Sequence, residues 1–203
     1  MKKIKIPTTC WSDATKGQGN LPSAIQALDP TTYLEGPAYP VQLVKGDNLD
    51  LIEAILQAPA GSVLVVNTAK NTATAIIGDN YAAAAKALGI AGIVTDGLVR
   101  DYQEIIDLNF PIFCIGHCTR SPKKQGGGQQ NRTIVIGDID VHPGDYIVGD
   151  RNGVMVIPSD QVETVREQAQ LKDQRDEATS QRIQDNPQAA QAYLEELVAK
   201  FRQ

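Results

Sequence analysis

The 203-residue chain carries 19 basic and 24 acidic side chains, a formal net charge of −5, and 42% of its residues are hydrophobic. That apolar share excludes a disordered chain, and the acidic balance leaves no electrostatic footprint for nucleic-acid phosphate. No apolar run reaches the roughly 20 residues of a membrane helix, and three cysteines, an odd number, argue against a disulfide framework. The basic start from Met1 to Pro7 is followed by no apolar segment or small-residue cleavage site, so no signal peptide is read there. A globular protein of cytoplasmic location is expected, with no nucleic-acid or membrane partner.

In chain order, residues 41–44, 62–66, 93–95 and 111–115 are compact apolar or β-branched runs beside turn residues, and are predicted strands. Helices are predicted between them at 49–57, 80–88 and 102–108, the first with Leu49, Ile52, Ile55 and Leu56 on one face. Gly126-Gly127-Gly128, in a polar stretch, reads as a mobile loop. Beyond it the strands come closer together: 133–139, 146–148 and 154–157, separated by Pro143-Gly144-Asp145 and Asp150-Arg151-Asn152-Gly153. Asn-Gly between two apolar runs is a strong hairpin signal. The pattern is an α/β core with a β-rich second half.

Composition breaks at Pro158, since all 17 glycines and all three cysteines precede it. Ser159 is the expected N-cap of a following helix, whose apolar stripe (Val162, Val165, Ala169, Leu171) soon fades. Residues 173–184 are almost wholly polar. The chain should turn at Asn186-Pro187 and re-enter helix with Tyr193, Leu194, Leu197 and Phe201 as its apolar face. A polar helix is weakly stable alone, so this arm is expected to lean on a neighbouring subunit. Two units follow: an α/β domain over 1–158 and a helical arm over 159–203.

Nucleotide-binding glycine motifs are absent, and Cys114, His117 and Cys118 with a distant His142 are a poor zinc set. Cys114 is expected in the core and His117 in a loop. The informative stretch runs from Gly78-Asp79-Asn80-Tyr81, at a helix start, to Asp96-Gly97-Leu98-Val99-Arg100-Asp101, beyond the strand at 93–95. Strand ends gather ligands in open α/β sheets, and a helix N-terminus attracts anions. If the loops meet, they join a helix N-terminus, a guanidinium and two carboxylates, a set suited to a small dicarboxylate and a hard divalent cation. The plainer alternatives are an N-cap role for Asp79 and a solvated ion pair for Arg100 and Asp101.

From Gly36 to Pro158 the chain resembles the family that contains 4-hydroxy-4-methyl-2-oxoglutarate aldolases and the regulators of ribonuclease E activity. The resemblance is carried by Gly36-Pro37-Ala38, Gly46-Asp47-Asn48, Gly61-Ser62-Val63-Leu64-Val65-Val66, Gly78-Asp79, and the stretch from Gly92 to Asp101. Phe110-Pro111-Ile112-Phe113, Pro143-Gly144-Asp145, Asp150-Arg151-Asn152-Gly153-Val154 and Ser12-Asp13-Ala14 add to it. It implies a swivelling β/β/α fold, three-layered, in a homotrimer or homohexamer with sites between subunits. It also implies a Mg²⁺- or Mn²⁺-dependent aldolase that cleaves a 4-hydroxy-2-oxo diacid to pyruvate and a second 2-oxo acid, with oxaloacetate decarboxylation through the same chemistry.

By that resemblance Asp101 is the metal ligand, Arg100 the substrate contact, and Asp79 the holder of the water that acts as base. Gly78, Asp79, Asn80 and Tyr81 would line the substrate, and Glu177 would act from an adjacent subunit. Asn80-Tyr81 departs from the two aliphatic residues common in the aldolases, and residues 113–116 replace a segment that often holds Arg. The loop 117–132 matches no family pattern. The alternative function is a binding protein that inhibits a ribonuclease by protein contact; that branch lacks the acidic residue that Asp101 supplies. A methyltransferase reading finds no glycine-rich cofactor loop.

Overall fold

The structure, a computed structural model, describes residues 5–202; the start of the basic segment at residues 1–4 lies outside the described residues. The first half runs α1 (Thr8–Ala14), β1 (Gln26–Ala27), β2 (Leu34–Gln42), α2 (Leu49–Gln57), β3 (Val63–Asn67), β4 (Ala75–Ile77), α3 (Asp79–Ala87), β5 (Gly92–Thr95), β6 (Leu98–Val99) and α4 (Tyr102–Asp107). The second half runs β7 (Ile112–Cys114), β8 (Gly116–His117), β9 (Gln129–Gln130), β10 (Ile134–Ile136), β11 (Ile139–Val141), β12 (Tyr146–Asp150), β13 (Gly153–Ile157), α5 (Val162–Ile183) and α6 (Pro187–Phe201).

The main sheet has the order β1-β7-β5-β3-β2-β12-β13, with β9 also on β2. Its centre, β7-β5-β3-β2, is parallel, and the β12–β13 hairpin joins it antiparallel through β2. Strand β3 explains the layering. Its Leu64 and Val66 pack with Leu51, Ile55, Ala82, Ala85 and Ile105 of the helices α2, α3 and α4. On the other face Val63 and Val65 meet Phe113, Ile134, Ile136, Val141, Ile147 and Val156. Helices thus cover one face and β-structure the other, the three-layer β/β/α arrangement. Each fully buried aliphatic side chain in these layers contributes about 1.5–3 kcal/mol.

Strand β2 is longer than expected and starts earlier, at Leu34 rather than at 41. Pro37 and Pro40 hide it in the sequence, because proline removes a ladder donor. The strand accommodates them while changing partners: 34–37 pair with β12, and 38–42 with β3. The expected single strand at 133–139 is instead the hairpin β10–β11, closed by Gly137 in the left-handed region at φ 66°. The Asn152-Gly153 hairpin is present as expected, with Asp150 facing Gly153.

Beyond β13, Ser159 does not cap the next helix. Its N–H is tied to Asp145 Oδ1 at 3.3 Å, and Gln161 stands at the cap. Val165 and Ala169 of α5 pack on Trp11, Cys10 and Met155, but Leu171 is exposed. The turn at Asn186-Pro187 occurs as read: Asn186 Oδ1 accepts from Ala189 N at 3.1 Å, with proline opening α6. Among the described residues no helix is long and apolar enough to cross a membrane.

Candidate active site

A second, small sheet builds the site. Strands β4, β6 and β8 lie parallel in the order β4-β6-β8. None was foreseen from sequence; β6 and β8 are each only two residues long. The three loops that leave their carboxyl ends therefore start side by side. Backbone bonds stitch them: Arg100 N to Ile77 O at 3.0 Å, Cys118 N to Val99 O at 2.9 Å, and Ala75 N to Arg120 O at 2.9 Å. Arg100 and Asp101 thus follow β6, not β5 as the sequence suggested.

These loops enclose a cleft of about 250 Å³ lined by Asn48, Ile77, Gly78, Asp79, Asn80, Tyr81, Arg100, Asp101, Ser121, Pro122 and Lys124. Arg100 Nε donates to both carboxylate oxygens of Asp101, at 3.1 and 3.0 Å, and its Nη1 donates to Ser121 Oγ at 2.7 Å. Asp101 Oδ2 also accepts from Asp79 N at 3.4 Å. The carboxylate therefore sits on the N-terminus of α3, where the helix dipole favours negative charge. Gly78 makes that approach possible, since a Cβ there would collide with Asp101 Oδ2 and stand 3.1 Å from Arg100 Cγ.

Asp101 itself holds φ 55° and ψ 51°, the left-handed region, at the cap of α4. That conformation is tolerable for Asp but strained. Its side chain caps nothing in α4 and serves the cleft instead. Asp79 is not an N-cap either: Gly78 occupies that position, and Asp79 is the first helical residue. Its carboxylate accepts from Asn80 Nδ2 at 3.0 Å. The cap alternative fails for Asp79.

Gly78, Asp79, Asn80, Tyr81, Arg100 and Asp101 are thus brought together. Glu177 is not among the lining residues; it is exposed on α5 and accepts from Gln181 Nε2 at 3.3 Å. Cys114 is buried in β7, and His117, expected in a loop, lies in β8 against the Tyr102 ring at 5.2 Å. Among the described residues no group of three or more His, Cys, Asp or Glu is placed to hold a metal ion. Sequence reasoning missed Asn48, Ser121 and Lys124 as lining residues.

A larger cavity of about 660 Å³ lies between the end of α1, β11 and the start of α5, with Lys16, Asp140, His142, Asp145 and Asp160 in its wall. It holds none of the residues above. Its buried Asp145 is already satisfied by the N–H groups of His142 and Ser159. Its size alone gives it no chemistry.

A protein of Halalkalibacterium halodurans named "Putative 4-hydroxy-4-methyl-2-oxoglutarate aldolase" is 45% identical over 95% of this chain and 92% of its own length. The solved structure of an uncharacterized protein from Pseudomonas syringae pv. tomato aligns with a TM-score of 0.83 at 30% identity, covering 93% of this chain and 89% of that one. The RNA-processing inhibitor RraA from Thermus thermophilis aligns with a TM-score of 0.71 at 25% identity, over 76% of this chain and 94% of that one. The RraA-like family profile, described as Aldolase/RraA, matches residues 8–156, and the chain belongs to that family.

Proposed function

We propose that the chain is a divalent-metal-dependent carbon–carbon lyase. It cleaves a 4-hydroxy-2-oxo diacid to pyruvate and a second 2-oxo acid, and it decarboxylates oxaloacetate at the same site. The observation that carries this reading is the meeting of Asp79, Arg100 and Asp101 in one cleft at the strand ends. The likeness to the named aldolase supports it. The donor chemistry fits a hard cation, because the cleft offers the side-chain oxygens of Asp79, Asp101 and Ser121 and no thiol or imidazole. Mg²⁺ commonly takes only one or two protein carboxylates. Asp101 would hold Mg²⁺ or Mn²⁺, which when bound supplies Lewis-acid polarisation of the substrate's 2-oxo group.

The chain's own residues divide the remaining work. Arg100 spends Nε on Asp101 and one Nη1 bond on Ser121, which fixes the guanidinium plane. Its Nη2 has no partner among the described residues and is free for the substrate's 2-oxo acid end, where negative charge develops. Asp79 takes the proton of the 4-hydroxyl through a water. The C3–C4 bond then breaks, its electron pair stays on C3 as the enolate of pyruvate, and C3 takes up a proton. The departing fragment leaves as the second 2-oxo acid.

The test is pyruvate release from oxaloacetate and from 4-hydroxy-2-oxo diacids. Activity should vanish in chelator and return with Mg²⁺ or Mn²⁺; full activity in chelator rules the metal mechanism out. The alternative, a regulatory protein that inhibits a ribonuclease by contact, draws on the likeness to the Thermus inhibitor. Asp101, strained and turned into the cleft, favours the enzyme.

The reading includes the assembly: a homotrimer or homohexamer, in the cytoplasm, with residues 1–158 as the catalytic domain and 159–203 as an arm. Helix α6 has no buried residue, and Leu194, Val198 and Phe201 are exposed on it. A neighbouring subunit that covers this face would also let Glu177 reach its site. Because Val165 and Ala169 belong to the core, the informative truncation ends at Gln184. It should remain folded but sediment as a smaller species at micromolar concentration. A full-length chain that is monomeric and fully active there removes both the arm and the share given to Glu177.

A further inference from the structure

We infer that the larger cavity, beside the end of α1, receives the tip of α6 from a second copy of this chain. Phe201 is the anchor, and Lys200 and Arg202 meet the aspartates of the cavity wall. The inference deepens the assembly proposed above and rests on it.

Among the described residues nothing buries the tip of α6. Phe201 is 77% exposed, and Leu194 and Val198 are exposed on the same helix. Lys200 Nζ stands 5.5 Å from the centre of the Phe201 ring, and Arg202 closes the helix. Neither cation has a carboxylate partner among the described residues. Cations at a helix C-terminus complement its dipole. That accounts for Lys200 and Arg202, but not for a phenylalanine left in water between them. An exposed aromatic ring rimmed by charge has the composition of an interface anchor.

The cavity supplies the complement. Its wall combines the buried Val156 and Val165 and the half-buried Ile139 with Asp138, Asp140 and Asp160, which are exposed. Those three carboxylates have no ion-pair partner among the described residues. With Asp145, four aspartates and one lysine line the wall, so its charge is negative. The volume of about 660 Å³ has room for a phenyl ring. The occupant is not the chain's own α6. The Arg182 guanidinium lies 5.8 Å over the Tyr193 ring, so α6 turns back along α5. From the cavity, the 22 residues of α5 run about 33 Å, and the 15 residues of α6 return only about 22 Å. The tip stops roughly 10 Å short of its own cavity. A tip-to-cavity contact between copies is head-to-tail, the kind that closes a cyclic ring such as a trimer.

The probe is the full chain with Phe201 replaced by the photo-crosslinking analogue p-benzoylphenylalanine, irradiated at micromolar concentration as an equal mixture of ¹⁴N- and ¹⁵N-labelled chains. Mixed-isotope crosslinks that map to the cavity wall, within residues 14–19 or 138–168, are expected. Crosslinks confined to one chain, crosslinks between chains at another surface, or none at all overturn the inference. Charge reversal gives a second reading. Asp140→Lys with Asp160→Lys, or Lys200→Glu with Arg202→Glu, should each weaken assembly about tenfold or more in sedimentation, because like charges then meet. All four reversals together should restore it. The four side chains are exposed, so circular dichroism should show the same fold throughout. Unchanged sedimentation in either pair, or no recovery in the combination, overturns the inference. A monomeric wild type removes the proposed assembly and this contact with it. A wild-type oligomer whose crosslinks lie elsewhere keeps the assembly and removes only the contact.

Discussion

Asp101→Asn should all but abolish pyruvate release in a protein that still folds. The expected loss is about 10³-fold or more in turnover, roughly 4 kcal/mol of transition-state stabilisation. Three features separate this from a folding defect. Asn tolerates the left-handed region as Asp does, so the φ of 55° at this position needs no rearrangement. Losing the charge on the α3 N-terminus costs roughly 0.3–1 kcal/mol. The lost ion pair with the partly exposed Arg100 adds little. Melting should shift by a few degrees at most, while Mn²⁺ binding, followed by electron paramagnetic resonance, weakens. Gly78→Ala should give a milder version, since its new methyl displaces the Asp101 carboxylate, and misplacement by about 1 Å can cost 10²-fold. Wild-type pyruvate release by Asp101→Asn would remove Asp101 from the chemistry.

Much of the scaffold was legible because its signals are local. The helix expected at 49–57 is α2 as found, and the apolar runs near 63, 93 and 112 are the parallel centre of the sheet. Helices α3 and α4 sit within a residue of their expected bounds. What stayed hidden depends on partners far away in sequence. Helix α1 carries no long apolar stripe; Trp11 is fully buried only because α5 and β13 cover it. Strands of two residues, such as β6 and β8, have no periodicity to read. They exist because the strands before them end together, and they place the site.

The site divides along the same line. Gly78-Asp79 and Arg100-Asp101 were legible as loops after apolar runs, and they do meet. Ser121 and Lys124 were not, because nothing in a polar stretch with three glycines announces an anchor. The anchors, Asp47 and Asp50, lie some 78 residues away from the backbone groups they hold. Asn48 was quoted only as part of a pattern; its place in the cleft is visible only once its Nδ2 is seen to donate to Ile76 O, in β4. The position of Asp79 was misjudged by one residue, which turns a capping residue into one free to act.

That shift sharpens the test of Asp79. Had it been the N-cap, Asn would have replaced it with little loss of either stability or meaning. As the first residue of α3, with its carboxylate held among the described residues only by Asn80 Nδ2, it contributes roughly 0.3–1 kcal/mol through the helix dipole. Asp79→Asn should therefore lower the melting temperature slightly. It would remove the proposed base, however, and loss of a general base typically costs about 10²- to 10⁴-fold. Only reactions that need that base should show the full loss. Cleavage of a 4-hydroxy-2-oxo diacid begins with removal of the hydroxyl proton, whereas decarboxylation of oxaloacetate has no such hydroxyl and, in the proposed reaction, depends on Arg100 and the Asp101 site. Measured side by side, cleavage by Asp79→Asn should collapse while decarboxylation falls much less. Equal losses in both reactions would place Asp79 on the shared enolate step rather than on the hydroxyl. Normal cleavage in a variant that melts early would leave it as a helix-stabilising charge and nothing more.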